Sequence, residues 1–292
     1  MVKKVAVIGS GIMGQGISQV FIKQGYDTLL IDISDEILEN AKNSIADGKY
    51  GLARLVQKGT ITEEQKKVYM KNLSISTDYG KLSDREFVIE AVPEIMNLKL
   101  KVMESIEKNI PETSIIASNT SGIMISEIGI NIKNKSRLIG MHWFNPAPVM
   151  KLIELVKTPF TSEETINEVI ALAKEMGKEP VVVKDYPGFF TTNFVHSWLV
   201  ESLRLYEKGI AGKEDIDKMV KLGFGFPMGP FELMDTIGLD TMKEIGDYLY
   251  SETGDERMLP PPILKEMVYA GYKGNAKIKM NSKGGWYDTD KL

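Results

Sequence analysis

Val5-Ala6-Val7-Ile8-Gly9-Ser10-Gly11-Ile12-Met13-Gly14 is the stretch on which the fold turns. Four apolar residues suited to a strand run straight into G-x-G-x-x-G, and residues 13–24 continue with helical spacing up to Gly25. Thr28-Leu29-Leu30-Ile31-Asp32 then reads as a second strand. Strand, glycine turn, helix and strand in this order make a dinucleotide-binding β-α-β unit. Gly9 allows the tight turn, Gly11 lets a pyrophosphate reach the backbone, and Gly14 lets helix and strand pack closely. Ile12 and Met13 open the helix, whose first N–H groups lack intrahelical partners and favour phosphate. Asp32 stands 18 residues beyond Gly14, where an acid accepts from both ribose hydroxyls and repels a 2′-phosphate, so NAD is expected over NADP. The alternative is a plain glycine turn, with Asp32 capping the next helix.

Outward from this unit the rhythm persists. Residues 34–56 read as helix with a break near Asp47-Gly48, residues 97–109 as helix, and residues 87–92, 114–117 and 137–141 as apolar strands. Strands alternating with helices imply a mostly parallel sheet covered on both faces, an α/β Rossmann-like domain. Two more apolar segments, 151–156 and 180–183, flank a helix over 163–176. Beyond Tyr186-Pro187-Gly188 only helical patterns remain, at 189–207, 213–222, 231–250 and 263–269. The expectation is an N-terminal domain over 1–185 and an all-α domain over 186–292. A second glycine-rich run, Gly223-Phe224-Gly225-Phe226-Pro227-Met228-Gly229-Pro230, follows no strand and is interrupted by prolines, so it reads as a helix–helix connection.

Composition narrows the chemistry. The 292 residues suit two domains, and 43% hydrophobic with 26% charged residues is the balance of a globular protein. A net charge of -4, with no basic stripe between aromatics, argues against nucleic acid. No apolar run approaches the roughly 20 residues of a membrane helix, and a strand begins almost at once. A chain without cysteine suits a reducing, cytoplasmic setting and has no thiolate chemistry. With two histidines in all, a histidine-rich metal centre is not expected.

His142 ends one apolar strand and enters Trp143-Phe144-Asn145-Pro146-Ala147-Pro148. Glu154 follows twelve residues later, the one acid in Leu152-Ile153-Glu154-Leu155-Val156. A carboxylate in apolar company is costly to bury unless it is paired. If the prolines turn the chain back, Glu154 meets His142, fixes the imidazole tautomer and stabilises the imidazolium. A structural histidine beside an edge glutamate is the alternative. Ser118-Asn119-Thr120-Ser121-Gly122 opens onto the same side, with turn formation as its plainer role. His196, in Phe194-Val195-His196-Ser197-Trp198, lies on an apolar helix and reads as packed rather than catalytic.

These stretches, with Pro187-Gly188-Phe189, Pro227-Met228-Gly229-Pro230-Phe231-Glu232-Leu233 and Leu249-Tyr250-Ser251-Glu252-Thr253-Gly254-Asp255, closely resemble the 3-hydroxyacyl-CoA dehydrogenases over essentially the whole chain. The last stretch is most similar to the single-function 3-hydroxybutyryl-CoA dehydrogenases. The resemblance implies reversible hydride transfer between C3 of an (S)-3-hydroxyacyl-CoA and NAD, and a homodimer formed through the helical domain. It implies His142 and Glu154 as the catalytic pair, Ser121 against the substrate oxygen, and Glu94, Lys99 and Asn145 along the NAD site. It sets Lys58 near CoA, after a short insertion around residues 48–51. One departure is clear. Pro187-Gly188-Phe189-Phe190-Thr191-Thr192-Asn193 puts Thr192 where the family has a catalytic asparagine, and Asn193 one residue late, about 100° around a helix. Asn281 likewise stands where the family has a lysine that reaches the cofactor, with Lys279 and Lys283 close by. Rival readings are a dehydrogenase of a free hydroxy acid or sugar acid, and a non-catalytic NAD-binding protein.

Overall fold

A computed structural model describes residues 2–277, 279 and 281–291, in two units, Met1–Phe189 and Phe190–Leu292. The first unit carries β1 (Lys4–Ile8), α1 (Ile12–Lys23), β2 (Asp27–Ile31), α2 (Asp35–Asp47), α3 (Leu52–Gln57), α4 (Glu63–Lys71) and β3 (Leu73–Ser76). It continues with β4 (Phe87–Glu90), α5 (Met96–Asn109), β5 (Ile115–Ser118), α6 (Ile125–Ile128), β6 (Leu138–Trp143), β7 (Leu152–Lys157), α7 (Glu163–Glu175) and β8 (Glu179–Lys184). The strands form one sheet in the order β3-β2-β1-β4-β5-β6-β7-β8, parallel except between β6 and β7. This is the Rossmann-like sheet the sequence implies, with the order reversing between β1 and β4.

Alternation along β1 shows how both faces are covered. Val5 and Val7 join Ile17, Phe21 and Leu38 from α1 and α2. Ala6 and Ile8 point the other way, to Val102, Met103 and Ile106 of α5. Every second residue of a strand faces the same layer, so a central strand buried on both sides reads as continuously apolar. β3 was not among the expected strands. It is a four-residue edge strand, and its Ser74 and Ser76 interrupt the apolar run that marks the others.

The second unit contains α8 (Thr191–Glu207), α9 (Lys213–Phe224), α10 (Pro230–Ile237), α11 (Leu239–Thr253) and α12 (Pro262–Tyr269). They pack around Leu199, Leu203, Phe231, Met234, Leu239 and Leu264. The run 223–230 does join two helices, α9 and α10, and Pro230 takes the first turn, where its missing N–H costs nothing. The single helix expected over 231–250 is instead two. Gly238, at φ 105, breaks it, and a Cβ there would lie 2.2 Å from Lys279 Cε. Among the described residues no helix is long and apolar enough to cross a membrane.

Candidate active site

The glycine turn is forced at two of its three positions. Gly9 has φ 99, and a Cβ on it would stand 2.7 Å from the Ala91 carbonyl oxygen. On Gly14 a Cβ would lie 1.7 Å from the Gly9 carbonyl oxygen. Gly11 is different: a Cβ would meet nothing within 4 Å. The chain itself leaves that space open, which lets a pyrophosphate approach the backbone there. Gly11 is also the N-cap of α1, with no side-chain hydrogen bond to cap the helix. The free N–H groups of the first turn, Ile12 and Met13 included, thus remain for an anion.

Asp32 follows β2 and caps no helix; Ser34 caps α2. Instead the Ser10 N–H and hydroxyl both donate to Asp32 Oδ2 at 2.6 Å, and the Ile33 N–H donates to Oδ1 at 2.7 Å. The carboxylate therefore ties the glycine turn to β2 while keeping acceptor capacity for two hydroxyls. A 2′-phosphate placed against this carboxylate would be repelled by its charge. These features fit NAD.

The turn opens on a cavity of about 1030 Å³ at the C-terminal ends of β1, β2, β4, β5 and β6. Its walls include Gly11, Asp32, Glu94, Ser121, His142 and Asn145. Crevices at this end of an open parallel sheet, where strand order reverses, are where such folds hold ligands.

His142 and Glu154 are direct partners in the antiparallel register of β6 and β7. Opposed residues share a face, so twelve residues of separation become a side-chain contact. His142 Nδ1 lies 3.0 Å from Glu154 Oε2, with both residues buried. An ionised carboxylate only accepts, so Nδ1 carries the proton and Nε2 is left as the second nitrogen of the ring. Phe144 lies against the imidazole, with ring centroids 4.5 Å apart.

Ser121 lies at the mouth of the β5 loop. Its N–H and hydroxyl donate to Glu94 Oε1 at 2.5 and 3.0 Å, and the Thr120 hydroxyl joins them at 2.8 Å. Burial opposes the charge on Glu94, but the Lys99 ammonium and these donors hold its carboxyl below the usual carboxylate range. The plainer role proposed for this loop is also present: Ser118 Oγ accepts from the Thr120 N–H, and Thr120 Oγ1 from the Ile123 N–H.

Other candidates are placed differently. Lys99 does not reach the cavity wall. It is 1% exposed, and its ammonium is held by Glu90 Oε1 at 2.8 Å and Glu94 Oε2 at 3.0 Å. Burial disfavours that charge, yet the two carboxylates raise the Lys99 pKa above its ordinary value. Lys58 ends α3 as an exposed residue outside the cavity. Thr192 and Asn193 are half-buried in the first turn of α8, in the second unit. Lys279 is paired within that unit, to Asp240 Oδ1 at 2.8 Å, and Asn281 is exposed at φ 60.

Three residues absent from the sequence-based candidates support the site. Asn119 Oδ1 accepts the Trp143 N–H at 2.9 Å, bracing the residue after His142. Lys178 Nζ donates to the carbonyls of Ala147 and Met150 at 2.6 and 2.7 Å, tying down the loop between β6 and β7. Burial and the nearby Lys23 push that ammonium down to about 8. Glu90, fully buried at the end of β4, bears the same signal as Glu154: one acid in an apolar strand.

Residues 4–186 match the 3-hydroxyacyl-CoA dehydrogenase NAD-binding domain, and residues 188–287 match the C-terminal domain of the same family. The chain belongs to the 3-hydroxyacyl-CoA dehydrogenase family. It is 38% identical to the mitochondrial hydroxyacyl-coenzyme A dehydrogenase of Sus scrofa, over 92% of this chain and 87% of the relative. It is also 38% identical to the 3-hydroxybutyryl-CoA dehydrogenase of Clostridioides difficile, over 99% of this chain and all 100% of the relative. The crystal structure of (S)-3-hydroxybutyryl-CoA dehydrogenase from Ralstonia eutropha superposes with a TM-score of 0.92 at 37% identity, covering 98% of this chain and 100% of that one. As a member of this family the chain is an NAD-dependent 3-hydroxyacyl-CoA dehydrogenase.

Proposed function

We propose that the chain oxidises short (S)-3-hydroxyacyl-CoA thioesters, 3-hydroxybutyryl-CoA foremost, with His142 as general base and Glu154 as its partner. The observation that carries this reading is the 3.0 Å contact between His142 Nδ1 and Glu154 Oε2 on the wall of the cavity that begins at Gly11. NAD, held along Gly11, Asp32 and Asn145, would supply the acceptor for the hydride that leaves C3. His142 Nε2 takes the C3 hydroxyl proton, and Glu154 stabilises the imidazolium that results. In the reverse direction the imidazolium returns that proton to the forming alkoxide.

Ser121 steadies the substrate oxygen. Turned from Glu94, the Ser121 hydroxyl donates to the C3 oxygen, whose own proton in the alcohol is directed to His142 Nε2. Gly9, Gly11, Gly14 and Asp32, with Glu94 and Asn145, serve the cofactor. Thr192 or Asn193 orients the thioester, and Lys58 meets a CoA phosphate. In this reading residues 1–185 hold NAD, and residues 186–292 are the substrate and dimerisation domain of a homodimer. An exposed apolar groove of the second unit supports the last point. Ile210, Met219, Leu222 and Phe224 line it at 67%, 55%, 77% and 75% exposure, an apolar face turned to solvent. The absence of cysteine suits a reducing compartment such as the cytoplasm.

Absorbance at the NADH band tests the reading. Acetoacetyl-CoA should oxidise NADH, and free acetoacetate should not. Equal turnover of both would move the assignment to free hydroxy acids, and turnover of neither would make the protein a binder.

A further inference from the structure

The acid Glu90 has no part in the mechanism above, yet it is 0% exposed and charged chemistry surrounds it. All four residues of β4 are buried, so an apolar side chain would serve packing there. Burying an ion pair rarely adds stability over a well-packed apolar residue, which makes its retention here call for another cause. Its hydrogen bonds supply one. Oε2 accepts the Ser118 hydroxyl at 2.6 Å, and Oε1 accepts the Val92 N–H at 2.7 Å and the Lys99 ammonium at 2.8 Å.

Two routes lead from these bonds to Ser121. In the first, Ser118 Oγ accepts the Thr120 N–H at 3.2 Å, fixing the backbone one residue short of Ser121. In the second, Lys99 reaches Glu94 Oε2 at 3.0 Å, and the other oxygen of Glu94 takes both the N–H and the hydroxyl of Ser121. The Val92 bond also fixes the turn after β4, where the Ala91 carbonyl packs against Gly9. One buried carboxylate thus holds the β5 loop from both sides.

We propose that Glu90 is a positioning residue that sets Ser121 against the substrate oxygen through Lys99–Glu94 and through Ser118. The proposal rests on the reading of Ser121 given above. Losing a side chain that only steadies a reacting group lets it drift by ångström fractions, and such drift costs up to about 10²-fold in turnover.

The test is a cycle of Glu90→Gln and Ser121→Ala, followed by NADH oxidation with acetoacetyl-CoA and by melting temperature. Glu90→Gln is isosteric but leaves Lys99 with one carboxylate. Should it not fold, Glu90→Gln/Lys99→Met removes both buried charges together and takes its place in the cycle. The expected result is a kcat reduced by roughly tenfold to 10²-fold, with KM for acetoacetyl-CoA little changed. In the Ser121→Ala background the same change at position 90 should leave kcat where Ser121→Ala alone puts it. A folded Glu90 variant with wild-type kcat overturns the proposal. So does an equal fractional loss in both backgrounds, because a purely structural role acts whether or not Ser121 is present. Wild-type kcat for Ser121→Ala alone would instead defeat the reading of Ser121 on which the proposal stands.

Discussion

The chain has two histidines, one in each unit, and both are buried: His142 is 7% exposed and His196 is 3% exposed. Their neighbours make them opposites. His142 ends a strand on the wall of a large cavity, and its Nδ1 meets a carboxylate. His196 sits within α8, its Nε2 2.8 Å from the Met258 carbonyl oxygen. A carbonyl oxygen only accepts, so Nε2 carries the proton, and among the described residues the buried Nδ1 has no hydrogen-bond partner. A second proton on that ring would be an N–H with no acceptor, whereas a proton gained by His142 is met by a charge. Burial alone therefore does not mark a base; the partner on the far nitrogen does.

The largest break in this comparison is His142→Ala. Turnover should fall by about 10²–10⁴-fold, the usual worth of a positioned acid–base group, while NADH still binds. Steady-state kinetics beside an NADH titration checks this, and near-normal kcat would sink the assignment. His196→Gln, by contrast, should leave kcat at the wild-type level.

Glu154→Gln comes next. It keeps the shape and one hydrogen bond but removes the charge that stabilises the imidazolium. The expected outcome is a smaller fall in kcat, together with an acidic limb of the oxidation pH profile that moves to lower pH. Unmoved limbs would make Glu154 a purely structural acid. Gly246→Ala probes the other histidine from its packing. A Cβ there would lie 2.8 Å from the Met258 carbonyl oxygen and 2.9 Å from His196 Cε1. Overpacking of this kind costs about 1–3 kcal/mol, so the melting temperature should drop while kcat holds. An unchanged melting temperature would mean that α11 yields freely around His196.

What the sequence made legible follows from how local each constraint is. The glycine turn is readable because Gly14 is forced by the Gly9 carbonyl within one β-α-β unit, and because Gly9 turns at φ 99, although the contact that closes on Gly9 comes from Ala91 after β4. His142 and Glu154 are readable as neighbours because one hairpin register joins them. The Glu90–Lys99–Glu94 network is not, since it joins the end of β4, the turn after it and α5 in a contact no single periodicity encodes. Lys99 illustrates the limit. Family likeness sets it along the cofactor site, and only burial reveals that its charge is spent behind the wall. The helix break at Gly238 escaped for another reason: apolar spacing continues across it, and a lone glycine within a helical pattern does not by itself announce a φ of 105.

The smallest effect concerns His196 and pH. Burial first, and the Arg204 charge with it, lower its pKa below 6.5, against the opposing pull of the Met258 carbonyl. In the unfolded chain the ring takes a proton below about 6.5, whereas the folded protein resists doing so. The unfolded state then binds more protons, and stability falls as pH drops below that point, by at most about 1.4 kcal/mol per pH unit for one group. His196→Gln keeps a donor for Met258 but cannot titrate. Its melting temperature, compared with wild type from pH 7.5 down to 5.0, should therefore gain on the wild type as the pH falls. Parallel curves would mean that His196 is protonated in the folded protein as readily as in the unfolded chain. The two histidines would then differ only in what lies in front of them, and the unpartnered Nδ1 would carry no energetic weight.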